Sequence, residues 1–284
     1  MLLSLVLSVT PTVPTRLNGF YGRQVQGWLL SQVDRHAPGV AQALHGYSGT
    51  KPYTVSSLVV PDAGRRGEAG EVRLMPRDEC LLRITALAEP LSDLLLEKVI
   101  PNLPDRLRLK WTDFRVLGVV EENGWAGRST FEKIQEQAAG QHGGPSVRLE
   151  FASPTAFRMG QVDLALPTPD HVWRSLYWRW NSFAPQALQI DARWPDFAAA
   201  CIVTSDFHLR SMKVTFKQGD KGAATGATGH ATYRLLDEKH CAGFAPYRAG
   251  AENVLRALAA FALYSGVGHH TTTGLGQARW LPPG

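Results

Sequence analysis

Nothing in these 284 residues announces a membrane anchor, a metal cluster or a nucleotide cradle. Only three cysteines occur. Cys80, Cys201 and Cys241 are far apart and form no CxxC pair, which excludes a zinc ribbon and favours small buried thiols in a reducing compartment. No stretch approaches the roughly 20 apolar residues needed to cross a bilayer. The apolar opening, Leu2 to Val9, has no basic residues ahead of it and no small-residue cleavage site behind it. Pro11 and Pro14 end it early, so it reads as a first β-strand rather than a secretory signal, and a soluble, cytoplasmic protein without membrane contact is expected. HxH, HExxH and paired-carboxylate patterns are missing, and no Gly-Lys-Ser/Thr completes a phosphate loop. The sequence calls for no metal and no cofactor.

What is present is ordinary globular composition, with 44% hydrophobic and 19% charged residues. The net charge of +5, carried mainly by arginine, leans toward polyanions without identifying one.

Along the chain, periodicity switches repeatedly between two and 3.6. Leu2–Val9 reads as a strand, and Phe20–Val33 as a helix through Val25, Trp28, Leu29 and Val33. A short apolar run, 40–44, leads into His45. Strands follow at 53–60, 72–74 and 81–86, with a charged, Gly-rich turn at 62–70. A helix is expected at 91–100, and one strand with a bulge at 106–120. This is the β-α-β-β-α-β order of a ferredoxin-like domain.

The second half repeats it. Strands are expected at 147–151, 201–203, 209–216, 231–236 and 277–281, with helices at 170–183 and 251–264. The expected fold is therefore α+β: two tandem ferredoxin-like (RRM-like) domains facing each other. Residues 1–122 and 146–284 would be the domains, and 123–145 a linker with a short helix near 130–139. The helix at 170–183 carries Trp173, Tyr177, Trp178 and Trp180, and aromatics at helical spacing belong to a core more often than to a base-stacking platform.

Between the last helix and the last strand lies "GVGHHTTTGLGQARW", residues 266–280. Two GxG pairs, Gly266/Gly268 and Gly274/Gly276, flank five polar residues, more than a simple connection needs. Glycines permit positive φ and close backbone approach, the raw material of an anion-binding loop.

The pattern GxGxxxxxGxG, flanked by apolar residues in "YSGVGHHTTTGLGQARW" (264–280), resembles the C-terminal loop of the CRISPR repeat-processing endoribonucleases of the RAMP superfamily. "LEFASPTAFR" (149–158), "TGATGHATYRL" (225–235) and "ALHGYSGTKPYTVSSL" (43–58) are similar to that family as well, in the family's order. The resemblance implies two ferredoxin-like domains and metal-independent cleavage of the repeat in precursor CRISPR RNA. Attack by the 2′-hydroxyl would leave a 5′-hydroxyl and a 2′,3′-cyclic phosphate. The implied partners are precursor and mature CRISPR RNA, with a CRISPR effector complex and a second copy of the chain as further candidates. A non-catalytic RNA-binding subunit of an effector complex is the alternative.

By the same resemblance His45 takes the position of the family's catalytic histidine, and an imidazole can serve as acid or base near neutral pH. Lys51, six residues on, would shield the phosphorane charge. The family's helix tyrosine is replaced by Leu30, so the second acid or base is open, with His36, Tyr47 and Tyr53 as candidates. The loop residues Gly266, Gly268, His269, His270, Thr271, Gly274 and Gly276 are expected to hold the RNA backbone rather than to perform chemistry. Arg279, Arg158, Lys213 and Lys217 join them as phosphate-binding cations, with Arg210 and Lys221 near by. His230, in the second glycine-rich stretch, is a lesser candidate for chemistry.

Overall fold

The computed structural model describes residues 1–60, 71–140, 144–216 and 223–281. It divides into two compact units: 1–128 with 214–223 and 272–274, and 129–213 with 224–271 and 275–284.

The first unit runs β1 (Leu2–Pro11), β2 (Thr15–Leu17), α1 (Gly22–His36), α2 (Val40–Gly46), β3 (Tyr53–Val55), β4 (Val72–Leu74), β5 (Cys80–Ala86), α3 (Glu89–Leu94), β6 (Arg106–Leu109), β7 (Thr112–Val119) and β8 (Gly127–Ser129). Its main sheet has the order β3-β5-β1-β7-β6. The first strand is thus central, with the third and fourth main strands on either side, as in a ferredoxin-like fold. All ten residues of β1 are buried, so the run that superficially resembles a signal is the middle of the sheet. Leu3, Leu5, Leu7 and Val9 on one face join Val25, Trp28, Leu29 and Val33 of α1 in a single core. That core is the expected product of a period-two strand meeting a period-3.6 helix.

The segment 106–120, expected as one bulged strand, is a hairpin. β6 and β7 pair as Leu107 with Phe114 and Leu109 with Thr112, through a turn at Lys110, whose φ is +52°. Leu107, Leu109 and Trp111 alternate up to the turn, and Phe114 and Val116 resume out of phase beyond it; with neither glycine nor asparagine to mark a turn, that change of phase reads as a bulge. The bulge lies farther on, where β1 and β7 shift register between Ser8 and Val9.

The second unit contains α4 (Phe131–Gly140), β9 (Ser146–Thr155), β10 (Phe157–Met159), β11 (Val162–Leu164), α5 (Pro169–Phe183), α6 (Trp194–Cys201), β12 (Ile202–Thr215), β13 (Ala223–Leu235), α7 (Ala245–Arg248), α8 (Ala251–Ser265) and β14 (Ala278–Leu281). Its sheet order is β12-β13-β9-β14, the same relative order as in the first unit. Helix α4 falls in the segment read as a linker. Phe131 packs against Trp180 at 4.9 Å and Phe261 at 5.6 Å between ring centroids, so this segment builds core. The two strands expected at 201–203 and 209–216 are one continuous strand, β12, entered from α6. Pro195 at the start of α6 suits a helix N-terminus, and the polar stretch within β12 is exposed strand rather than a break.

Trp173 and Trp180 are fully buried and Tyr177 nearly so, while Trp178 faces outward. Most of the aromatic set of α5 is therefore core. All three cysteines are free and buried, and burial pushes the thiols of Cys80 and Cys201 up to about 12.

Candidate functional site

His45 is exposed in the last turn of α2. Helix α2 ends with carbonyls that have no intrahelical donor, and Lys51 supplies one. Its Nζ donates to the carbonyls of Leu44 at 2.7 Å and His45 at 2.9 Å, and also to that of Tyr47. Lys51 therefore caps the turn that presents His45, a placement that also suits a cation at the negative end of a helix.

His36 ends α1, and its Nε2 is buried without a hydrogen-bond partner among the described residues. Tyr53 is buried and its hydroxyl accepts from Gln26 Nε2 at 3.0 Å. Burial raises its pKa; Tyr47 is exposed.

The glycine loop leaves α8 at Ser265 and enters β14 at Ala278. Gly266, Gly268, Gly274 and Gly276 all have positive φ. Two of these show most directly why glycine is required. A Cβ on Gly268 would overlap the Ala156 carbonyl, and one on Gly276 the Val267 carbonyl.

The loop's amides are largely committed to the protein itself. The N–H of Val267 donates to Gly276 O at 2.8 Å, that of His269 to Ala156 O at 2.9 Å, and that of Gly276 to Pro154 O at 3.0 Å. The Gln277 N–H donates to Ser153 Oγ at 2.9 Å. These bonds brace both limbs of the loop against β9 and its end. Residues 272–274 group with the first unit, where Gly274 pairs with Ser56.

His269 and His270 differ although they are adjacent. The His269 Nε2 lies 3.4 Å from Asp163 Oδ1. Burial, reinforced by the neighbouring His270, lowers the His269 pKa to about 4 despite that carboxylate. It is thus a neutral imidazole at physiological pH. His270 is exposed at φ +57°, and its ring centroid lies 4.2 Å from that of His269. Thr271 is buried.

The expected phosphate-binding cations are largely paired. Arg279 Nε donates to Glu150 Oε2 at 2.6 Å. Arg158 donates to Asp163 Oδ1 at 3.1 Å and to the Gly160 carbonyl at 2.9 Å. Arg210 and Lys213 are exposed on β12, whereas Lys217 and Lys221 lie outside the described residues. His230 stacks on His208 at 5.8 Å and contacts Arg148.

One cation beneath the loop escaped the sequence reading. Arg179, on α5, donates from Nη2 to the Gly268 carbonyl at 2.8 Å. Its sequence signal is faint: an arginine next to the tryptophans of an amphipathic helix.

Two tandem units with the same β-strand order define the class, a pair of ferredoxin-like domains ending in a glycine-braced loop. Residues 149–278, just under half of the chain, match the model of the family described as CRISPR-associated endoribonuclease Cas6. The resemblance drawn from the sequence motifs is borne out by that match.

Solved structures agree over nearly the full length. A Cas6 in a product complex is 24% identical, with 99% of this chain and 100% of that chain covered and a TM-score of 0.76. A Cas6 of Thermus thermophilus is 23% identical, with 99% and 98% covered and a TM-score of 0.68. A Cas6-related protein from Pyrococcus furiosus is 12% identical, with 100% of each chain covered and a TM-score of 0.62. At these identities the structural likeness establishes the fold. No curated protein matches the chain significantly.

Proposed function

We propose that the protein cleaves the repeat in precursor CRISPR RNA as a metal-independent endoribonuclease. The observation that carries this reading is the match of residues 149–278 to the endoribonuclease family, a stretch that contains the whole glycine loop. Solved structures of the same fold, in complex with product and with a substrate mimic, support it further.

The reaction needs little from the protein besides alignment and proton transfer. The ribose 2′-oxygen attacks the adjacent phosphorus in line with the departing 5′-oxygen. His45 takes the 2′-hydroxyl proton or supplies one to the 5′-oxygen. Bond formation to the 2′-oxygen and cleavage at the 5′-oxygen leave a 2′,3′-cyclic phosphate and a 5′-hydroxyl. Lys51 acts through the α2 turn that it caps, and the loop holds the RNA backbone.

A second reading, an RNA-binding subunit without turnover, draws support from the Lys51 ammonium being committed to backbone carbonyls. One experiment separates the two. Repeat RNA is incubated with the protein in EDTA, alongside the same RNA carrying a single 2′-deoxyribose at the cleaved nucleotide. The nuclease reading expects cyclic-phosphate product from the first RNA and tight binding without product from the second. Tight binding of both, with product from neither, would favour the subunit.

A further inference from the structure

Gly268 is held at both of its backbone polar groups by one face of one helix. Its N–H donates to Ser175 Oγ at 2.9 Å, and its carbonyl accepts from Arg179 Nη2 at 2.8 Å. Ser175 and Arg179 are four residues apart on α5, so their side chains emerge one above the other. At φ +80° Gly268 sits in the left-handed region, and the two bonds fix it there.

The guanidinium also differs from Arg158 and Arg279 in its surroundings. Arg158 has Asp163 at 3.1 Å and Arg279 has Glu150 at 2.6 Å, but Arg179 has no carboxylate within ion-pair distance among the described residues. Burial lowers its pKa to about 10, still far above neutrality, so the charge persists. The guanidinium is half-buried, and a cation partly withdrawn from water is costly unless an anion completes its surroundings. Because most amides of the two loop limbs are already used internally, the loop's attraction for an anion cannot come from an open ring of N–H groups alone.

We propose that Arg179 is a positioning residue of the glycine loop: through Gly268 it fixes the loop's backbone, and its uncompensated charge draws an RNA phosphate onto that loop. This inference rests on the reading that the loop holds RNA. Ser175 shares the first role but not the second, which makes the two separable.

The test is the affinity of the full chain for repeat RNA, measured against salt concentration for wild type, Arg179→Met, Arg179→Lys and Ser175→Ala, with a thermal melt of each. Removing one phosphate-directed charge should make the log–log salt dependence shallower by about 0.7–0.9. Arg179→Met should show that change together with about tenfold weaker binding at moderate salt. Ser175→Ala should weaken binding while keeping the wild-type slope.

Arg179→Lys decides the matter should the methionine variant not fold. A lysine desolvated at this place loses its proton at lower pH than arginine does. Its affinity for RNA should therefore fall between pH 7 and 9.5 relative to wild type. A folded Arg179→Met with wild-type slope and affinity, or an Arg179→Lys whose affinity tracks wild type across that range, would overturn the proposal. Absence of salt-dependent RNA binding by the wild type would instead remove the functional reading beneath it.

Discussion

The α2 turn and the glycine loop solve opposite problems of placement. The turn presents an exposed histidine at the end of a seven-residue helix, held chiefly by one lysine that reaches back to its last carbonyls. The loop is braced along both limbs, with hydrogen bonds to β9, to residues just beyond it and to α5. A group that exchanges protons needs solvent and freedom to reorient. A surface that must match a polyanion's backbone gains from being fixed before the ligand arrives. Substitutions in the turn should therefore alter turnover, and those in the loop grip or stability.

The comparison breaks most sharply at His45. His45→Ala should reduce single-turnover cleavage by about 10²–10⁴-fold and leave RNA affinity within about threefold. Cleavage near the wild-type rate would take His45 out of the reaction. Next comes Gly268→Ala, which combines a left-handed φ with overlap of the Ala156 carbonyl. Thermal unfolding should show a loss of about 3 kcal/mol, with RNA binding weakened in parallel. An alanine variant as stable as wild type would mean that the loop is not braced as described.

A third test sharpens the contrast through pH. His269 has its pKa lowered to about 4 in the folded protein, against 6.5 ordinarily. Between those values the unfolded chain binds more protons. The stabilising effect of keeping His269 neutral is therefore complete above pH 6.5 and is lost as pH falls toward 4, with about 3 kcal/mol as the ceiling. His269→Gln should flatten the stability profile in that window relative to wild type, as denaturant titrations at several pH values would reveal. The smallest effect is expected at Lys51. Lys51→Met removes the cap of α2 and should cost about 1 kcal/mol of stability. Cleavage should fall more than affinity does, because the histidine is displaced while the loop stays intact. Equal losses in both would contradict that division.

Much of this was legible in the sequence. The central strand, the long helices and the glycine loop all announce themselves by periodicity or composition, and "LHGYSGTK" sets His45 and Lys51 six residues apart. The illegible parts depend on contacts distant along the chain. No local pattern shows that Arg279 meets Glu150, 129 positions away, or that an arginine beside buried tryptophans reaches the Gly268 carbonyl, 89 positions on. The hairpin at Lys110 stayed hidden for another reason. The change of apolar phase between Trp111 and Phe114 suits a bulge as well as a turn, and the turn uses a lysine where glycine or asparagine would have marked it.

The three cysteines offer a practical consequence. All are buried, so alkylating reagents have little access to them, and burial pushes the thiols of Cys80 and Cys201 up to about 12, which keeps these two protonated at neutral pH. A single new cysteine at Trp111, which is 96% exposed on the β6–β7 turn, would then be the preferred labelling point in each molecule. A second at Trp178 of α5, also outward-facing, completes a donor–acceptor pair with one dye on each unit. The natural chain thus serves, without cysteine removal, as the background for a spectroscopic ruler that follows both units as RNA is added.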